Sequence, residues 1–186
     1  MVITTTPRLI LRYWRPSDRE AFAALNADPR VMELMPGTLS REESDHLADR
    51  IEAHFHQHQS SGTGFGLCAA ELRRDNSFIG FIGLSVPSFR AAFTPCVEIG
   101  WRISAEHWGQ GLATEGAKAM VRYAFETLQL DSLVSFTVPR NTRSRRVMEK
   151  LGMSCDPADD FDHPGLPNGH PLCRHVLYRL SRAPCC

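Results

Sequence analysis

A chain of 186 residues is long enough to bury a substantial core, so one domain over 1–182 is expected, with 183–186 as an unpatterned, disordered tail. Its 21 Lys and Arg balance its 21 Asp and Glu, which excludes a whole-molecule field for nucleic acid or for an anionic membrane. No apolar run is long enough to cross a bilayer and no cationic leader precedes one, so a cytoplasmic protein is expected.

Taken in order, "RLILRYW" reads as a strand, and "RPSDREAFAALNADPRVMELM" as one or two helices with Ser17 or Asp18 as N-cap and Phe22, Leu25 and Met32 at helical spacing. "SREESDHLADRIEAHFHQHQ" predicts a second helix over 40–59. Ser40 and Glu43 form a capping box there, Leu47, Ile51 and Phe55 recur every four residues, and "SSGTG" breaks it. "FGLCAAELRR" and "SFIGFIGLSVP" make a hairpin about "DN". "CVEIGWRI" alternates, with Val97, Ile99, Trp101 and Ile103 on one face and Cys96, Glu98, Gly100 and Arg102 on the other.

"EHWGQGLATEG" then leads into a helix over 112–130, with Ala113, Ala117, Met120, Ala124 and Leu128 on one stripe. "DSLVSFTVP" predicts a strand, and "NTRSRRVMEKLG" a short helix capped by Asn141 and closed by Gly152. "DPADDFDHPGLPNGHP" is a loop before a last strand, "LCRHVLYRL". The order is mixed α/β and too irregular for a regular βαβ array.

A strand entering a glycine-rich turn and then a helix aims free backbone N–H groups and the positive helix end at one point, where a phosphate can sit. A P-loop would require Gly-Lys-Ser or Gly-Lys-Thr, but Leu112 and Ala113 follow Gly111. A dinucleotide fingerprint beginning at Gly109 meets Thr114 at its third glycine and lies far from the first strand. An unliganded tight turn is the plain alternative.

"WGQGLATEG" after "VEIGWRI" resembles the GNAT superfamily of N-acetyltransferases, whose motif places Gln or Arg, two free positions, Gly, one free position, then Gly or Ala. Gly111 and Ala113 fill its last two places, while Trp108 replaces the usual Gln or Arg. That departure resembles the branch of ribosomal-protein N-terminal acetyltransferases. "VPRNTRSRRVMEKLGM" is similar to the family's second motif, and nearly the whole chain, from "TPRLILR" to "HVLYRL", follows the family order.

The resemblance implies an α+β acyl-CoA N-acyltransferase fold with a mostly antiparallel, splayed central sheet flanked by helices. It implies acetyl-CoA as cosubstrate and a primary amine as acceptor, either a peptide N-terminus or a small molecule such as an amino-acid derivative or an antibiotic. The amides of Gln110, Gly111, Leu112, Ala113 and Thr114 would bind the pyrophosphate. The strand edge at Trp101 and Ile103 would receive the pantetheine arm as an added strand and offer an N–H to the developing oxyanion. Asn141 would reach the arm in addition to capping its helix.

Glu98 is the candidate base, because an alkyl amine is protonated at neutral pH; its plain reading is a strand carboxylate paired with Arg102. The family's usual Tyr, which protonates the leaving thiolate, aligns with Met148, so Ser144 is the substitute acid. Direct attack in a ternary complex is expected, since ping-pong chemistry needs a reactive Cys and none lies in an electropositive turn. A non-catalytic CoA-binding module is the alternative from a different class.

No metal is expected. His54 and His58 share a helix face with His56 nearby, but without a carboxylate motif they read as a solvated helix end. The spacing of His163, His170, Cys173 and His175 matches no zinc pattern. Cys68 and Cys96 read as small buried hydrophobes. Loops at 28–40, 86–95 and 156–172 are expected to form the acceptor pocket, with Asp159, Asp160 and Asp162 facing a cationic acceptor. Monomer and homodimer remain open.

Overall fold

The computed structural model describes residues 1–58 and 64–182. The chain opens with a hairpin of β1 (Val2–Thr5) and β2 (Leu9–Arg12), followed by α1 (Asp18–Ala27), the single turn α2 (Pro29–Met32) and α3 (Arg41–Gln57). Then come β3 (Leu67–Leu72), β4 (Phe78–Ser85), β5 (Glu98–Ile103), α4 (Leu112–Arg122), β6 (Ser132–Thr137) and α5 (Thr142–Lys150), with short β7 (Ser154–Cys155) and β8 (Phe161–Asp162) before β9 (Arg174–Ser181).

Among the described residues the sheet order is β1-β2-β3-β4-β5-β6-β9-β7, with β8 on β9. Every pairing is antiparallel except β5 with β6. That parallel pair meets only where Glu98 faces Val134, with the Val134 amide on the Val97 carbonyl at 2.9 Å. Beyond this vertex the two strands diverge and leave a wedge in the sheet.

Helices cover both faces. Phe22 of α1 meets Phe81 of β4 edge to face, while Gly116 of α4 lies directly on Ile82 and Leu9. A Cβ at Gly116 would collide with the Ile82 side chain, so this glycine sets the close approach of helix to sheet. Since Phe81 pairs with Arg102 and Ile82 with Trp101, Glu98, Gly100 and Arg102 share the face toward α1, and Ile99, Trp101 and Ile103 the face toward α4.

Several expectations shift. The Ser40–Glu43 capping box forms with both reciprocal bonds, and its helix runs 41–57. Ser17, by contrast, makes no side-chain cap, and Asp18 lies inside α1, where its carboxylate is taken by Arg12 and by the Arg15 amide. The helix predicted over 112–130 leaves α geometry at Tyr123 for a π turn, Tyr123–Thr127. β1, β7 and β8 form where no strand is predicted. The predicted break at 60–64 lies, except for Gly64, outside the described residues, as does the tail at 183–186.

Candidate active site

The wedge between β5 and β6 opens into a cleft of about 400 Å³. Trp101, Ile103, Gly111, Leu112, Ala113, Thr114, Asn141 and Ser144 all line it, so most of the residues singled out in sequence do converge. Gln110, between the lining Gly109 and Gly111, is not itself on the cleft wall, and Glu98 stands at the vertex rather than on the wall.

The turn owes its shape to two glycines: Gly109 at φ 74° and Gly111 at φ 77°, the latter as N-cap of α4. A side chain at such φ is disfavoured, which is why the turn is glycine-rich. The first bond into the helix runs from the Glu115 amide to the Gly111 carbonyl at 3.0 Å. The amides of Gln110 through Thr114 therefore have no partner among the described residues, and with the helix dipole they form an anion cradle.

The free edge of β5 follows from its register. The Ser104 amide donates to the Ile79 carbonyl across the Gly80–Ile103 pair, which makes Ile103 a non-hydrogen-bonded partner of β4. The N–H and C=O of Ile103, and by the two-residue period those of Trp101, point into the wedge. One of them is already used: the Trp108 indole donates to the Ile103 carbonyl at 2.8 Å. A chain of amides and methylenes fits the remaining groups as an added strand.

Sequence reasoning misses the brace behind the turn. Arg8 donates from its Nε to Glu115 and from Nη1 to the Gln110 carbonyl at 2.9 Å, and the Glu115 carboxylate accepts from the Arg8 amide as well. Arg143 lies over the Trp108 ring at 3.9 Å, tying α5 to the turn. These contacts join residues far apart in sequence; the only local hint is that an Arg, an acid and an aromatic occur near the two motifs.

Glu98 is half-buried, and its one side-chain partner among the described residues is the Ser85 hydroxyl, 3.3 Å away. Desolvation pushes its carboxyl up to about 7, with the Ser85 bond acting in the opposite sense. The plain reading of Glu98 as the ion-pair partner of Arg102 fails: Arg102 turns to Asn26 and lies over the Phe81 ring instead. A carboxyl poised near neutrality can hold or accept a proton at working pH.

Asn141 caps α5, accepting from the Ser144 amide at 3.1 Å, and donates to the Thr137 hydroxyl at 2.9 Å. Met148 is 1% exposed in the core, so its position sends no group into the cleft. His54 and His58 are not a solvated helix end: His58 stacks on Phe65, His54 meets the same ring edge to face, and the His54 Nε2 accepts the Val86 amide at 3.1 Å. Cys68 is fully buried, which pushes its thiol up to about 12. Burial, and after it the neighbouring Glu98, raises the Cys96 thiol too.

A family model described as an acetyltransferase (GNAT) domain matches residues 8–154. The FsC-acetyl coenzyme A-N(2)-transacetylase of Aspergillus fumigatus is 35% identical over 156 residues, covering 80% of this chain and 63% of that protein, so this chain spans under two thirds of its length. A GNAT-family acetyltransferase from Bacillus anthracis superposes with a TM-score of 0.76 at 25% identity, over 97% of this chain and 98% of its own. RimJ of Mycobacterium smegmatis, solved with CoA-disulfide, shares the fold with a TM-score of 0.72 at 20% identity, over 93% and 81% of the two chains.

Proposed function

The chain belongs to the GNAT acetyltransferases, and from that premise we propose that it moves acetyl from acetyl-CoA directly onto a primary amine held in the same ternary complex. The observation that carries this reading is Glu98: a carboxyl near pH 7 with no cationic partner among the described residues, at the vertex of a wedge whose open edge fits a pantetheine arm. Bound acetyl-CoA supplies an activated acyl group. Everything else in the scheme falls to the chain's own residues.

Gln110 to Thr114 hold the pyrophosphate through their free amides. Trp101 and Ile103 receive the arm along the β5 edge, and an N–H there stabilises the charge that develops on the carbonyl oxygen. Glu98 removes the proton from the ammonium form of the acceptor, directly or through one water. Ser144 lines the α5 wall of the cleft, and its hydroxyl is the group that would return a proton to the departing sulfur. Direct attack is supported by the thiols: Cys68 is held near 12 and Cys96 is raised, so neither is a ready nucleophile. The acceptor is an amine at a peptide N-terminus or on a small molecule.

Purified protein is expected to release free thiol from acetyl-CoA only when an amine is present. Release without amine, or none across a broad panel of amines and peptides, overturns the scheme. A second expectation concerns the cradle. Gly111→Ala forces a side chain into φ 77°, at a cost of about 1–2 kcal/mol. The free variant should relieve that strain by moving the turn, so that rebuilding the cradle on binding costs the same energy and acetyl-CoA affinity measured by calorimetry falls about five- to thirtyfold; an unchanged Kd in a variant that melts like wild type removes the turn from the cofactor site.

A further inference from the structure

Most cations on the cleft wall are occupied or solvated. Arg30 pairs with Asp28 and, at 3.4 Å, with Glu106; Arg143 pairs with Glu33 at 3.5 Å; Arg146 and Lys150 are exposed. Arg102 differs from all of these. It is half-buried on the wall and pairs with no carboxylate among the described residues.

Arg102 is held by neutral groups. Its Nη1 donates to the Asn26 side-chain oxygen at 2.6 Å, and Asn26 in turn donates to the Ser44 hydroxyl at 2.9 Å; Asn26 and Ser44 are fully buried. Its Nε is buried with no partner among the described residues, and the guanidinium lies 5.4 Å from the centre of the Phe81 ring. Burial draws its pKa down only to about 10, so the charge persists at neutral pH. A half-buried guanidinium that the fold orients but does not neutralise is ready for an anion arriving with a ligand.

Its place on β5 says which ligand. Arg102, Gly100 and Glu98 share the face away from α4, whose N-terminal turn forms the cradle. Gly100 leaves room between them: an added Cβ would meet nothing nearer than the Glu98 Oε1 at 3.8 Å. Four strand residues set the two Cα atoms roughly 13 Å apart. We propose that Arg102 binds a carboxylate on the acetyl acceptor, so that the substrate is an amine carrying a carboxylate several bonds from its nitrogen. This rests on the reading of Glu98 as the base.

Such a carboxylate can come from a free amino acid or from an acidic side chain near a peptide N-terminus, and two arms separate them. One compares 4-aminobutyrate, 5-aminopentanoate and 6-aminohexanoate with their primary amides; the other compares peptides bearing Asp or Glu at the second position with their Asn and Gln counterparts. In at least one arm the acid should exceed its amide by tenfold or more in kcat/KM. That ratio should collapse below threefold in Arg102→Met and recover partly in Arg102→Lys, with acetyl-CoA Kd within twofold of wild type. Equal use of acids and amides by the wild-type protein overturns the proposal, as does a ratio that survives Arg102→Met or an acetyl-CoA Kd that rises instead. Calorimetric titration of the CoA-saturated protein with the same acids and amides reads Arg102 without turnover. A selective binding result with no acetylation would therefore fault the base and not the anchor.

Discussion

Glu98→Gln is expected to lower kcat by about 10²- to 10⁴-fold, the range for loss of a general base, while leaving the acetyl-CoA Kd within twofold. Gln keeps the shape and the Ser85 contact but cannot accept the amine's proton. Because desolvation sets the Glu98 carboxyl of the free protein at about 7, wild-type kcat/KM should fall tenfold per unit below roughly pH 6 and level off above pH 8. The variant should lose this limb. Retention of rate within threefold, or of the limb, removes Glu98 from the chemistry.

The same shift carries a stability signature of known sign. The folded carboxyl titrates at about 7 against 4.5 for the ordinary group, so between those values the native state holds a proton that the unfolded state has released. Stability contributed by this group is complete below about pH 4.5 and is lost as pH rises through 7. Glu98→Gln should therefore melt higher than wild type at pH 8 and equally at pH 4. A site that costs stability when charged and loses rate when neutralised is what a functional carboxylate in a partly desolvated vertex predicts.

The largest stability loss is expected from Arg12→Met. Arg12, 2% exposed, donates from Nη1 and Nη2 to both oxygens of Asp18 at 2.7 and 2.8 Å and from Nε to Glu71 at 2.7 Å; those acids are 3% and 2% exposed. Removing the guanidinium strands buried carboxylates, of which only Glu71 keeps a second cation, Arg15 at 3.0 Å. The cost should be about 3–5 kcal/mol, or on the order of 10 °C in melting temperature for a domain of this size.

Replacing Asp18 and Glu71 as well, by Leu and Met, should recover most of that loss in urea titrations, because an apolar trio of similar volume replaces the charged one without stranding any charge. A single variant that melts within 3 °C of wild type shows the network to be dispensable. The consequence reaches the cleft, since the network pins the start of α1 to β2 and β3, and the end of α1 carries Asn26 to Arg102.

Much of this was legible in the chain itself where the cause is local. The Ser40–Glu43 box, the alternation through Ile99 and Ile103, the two turn glycines and the Asn141 cap each depend on neighbours within a few residues, and each forms. Local signals also misled. Ser17 and Asp18 read as caps, but a buried Arg reaches Asp18 first, and His54 and His58 read as solvated until Phe65 covers them.

The sequence by itself determined the chemistry of the turn, because positive φ and close backbone approach admit few residues but glycine, and with the second motif it determined the family. Tertiary structure alone decided where the strands part, that Arg8 and Glu115 meet across 107 residues to brace the cradle, that Met148 faces the core, and that Glu98 and Arg102 stay apart. The physical reason is common to all four. Burial and charge balance are set by groups brought together from distant segments, and a carboxyl's pKa or a cation's lack of partner exists only once those segments have packed.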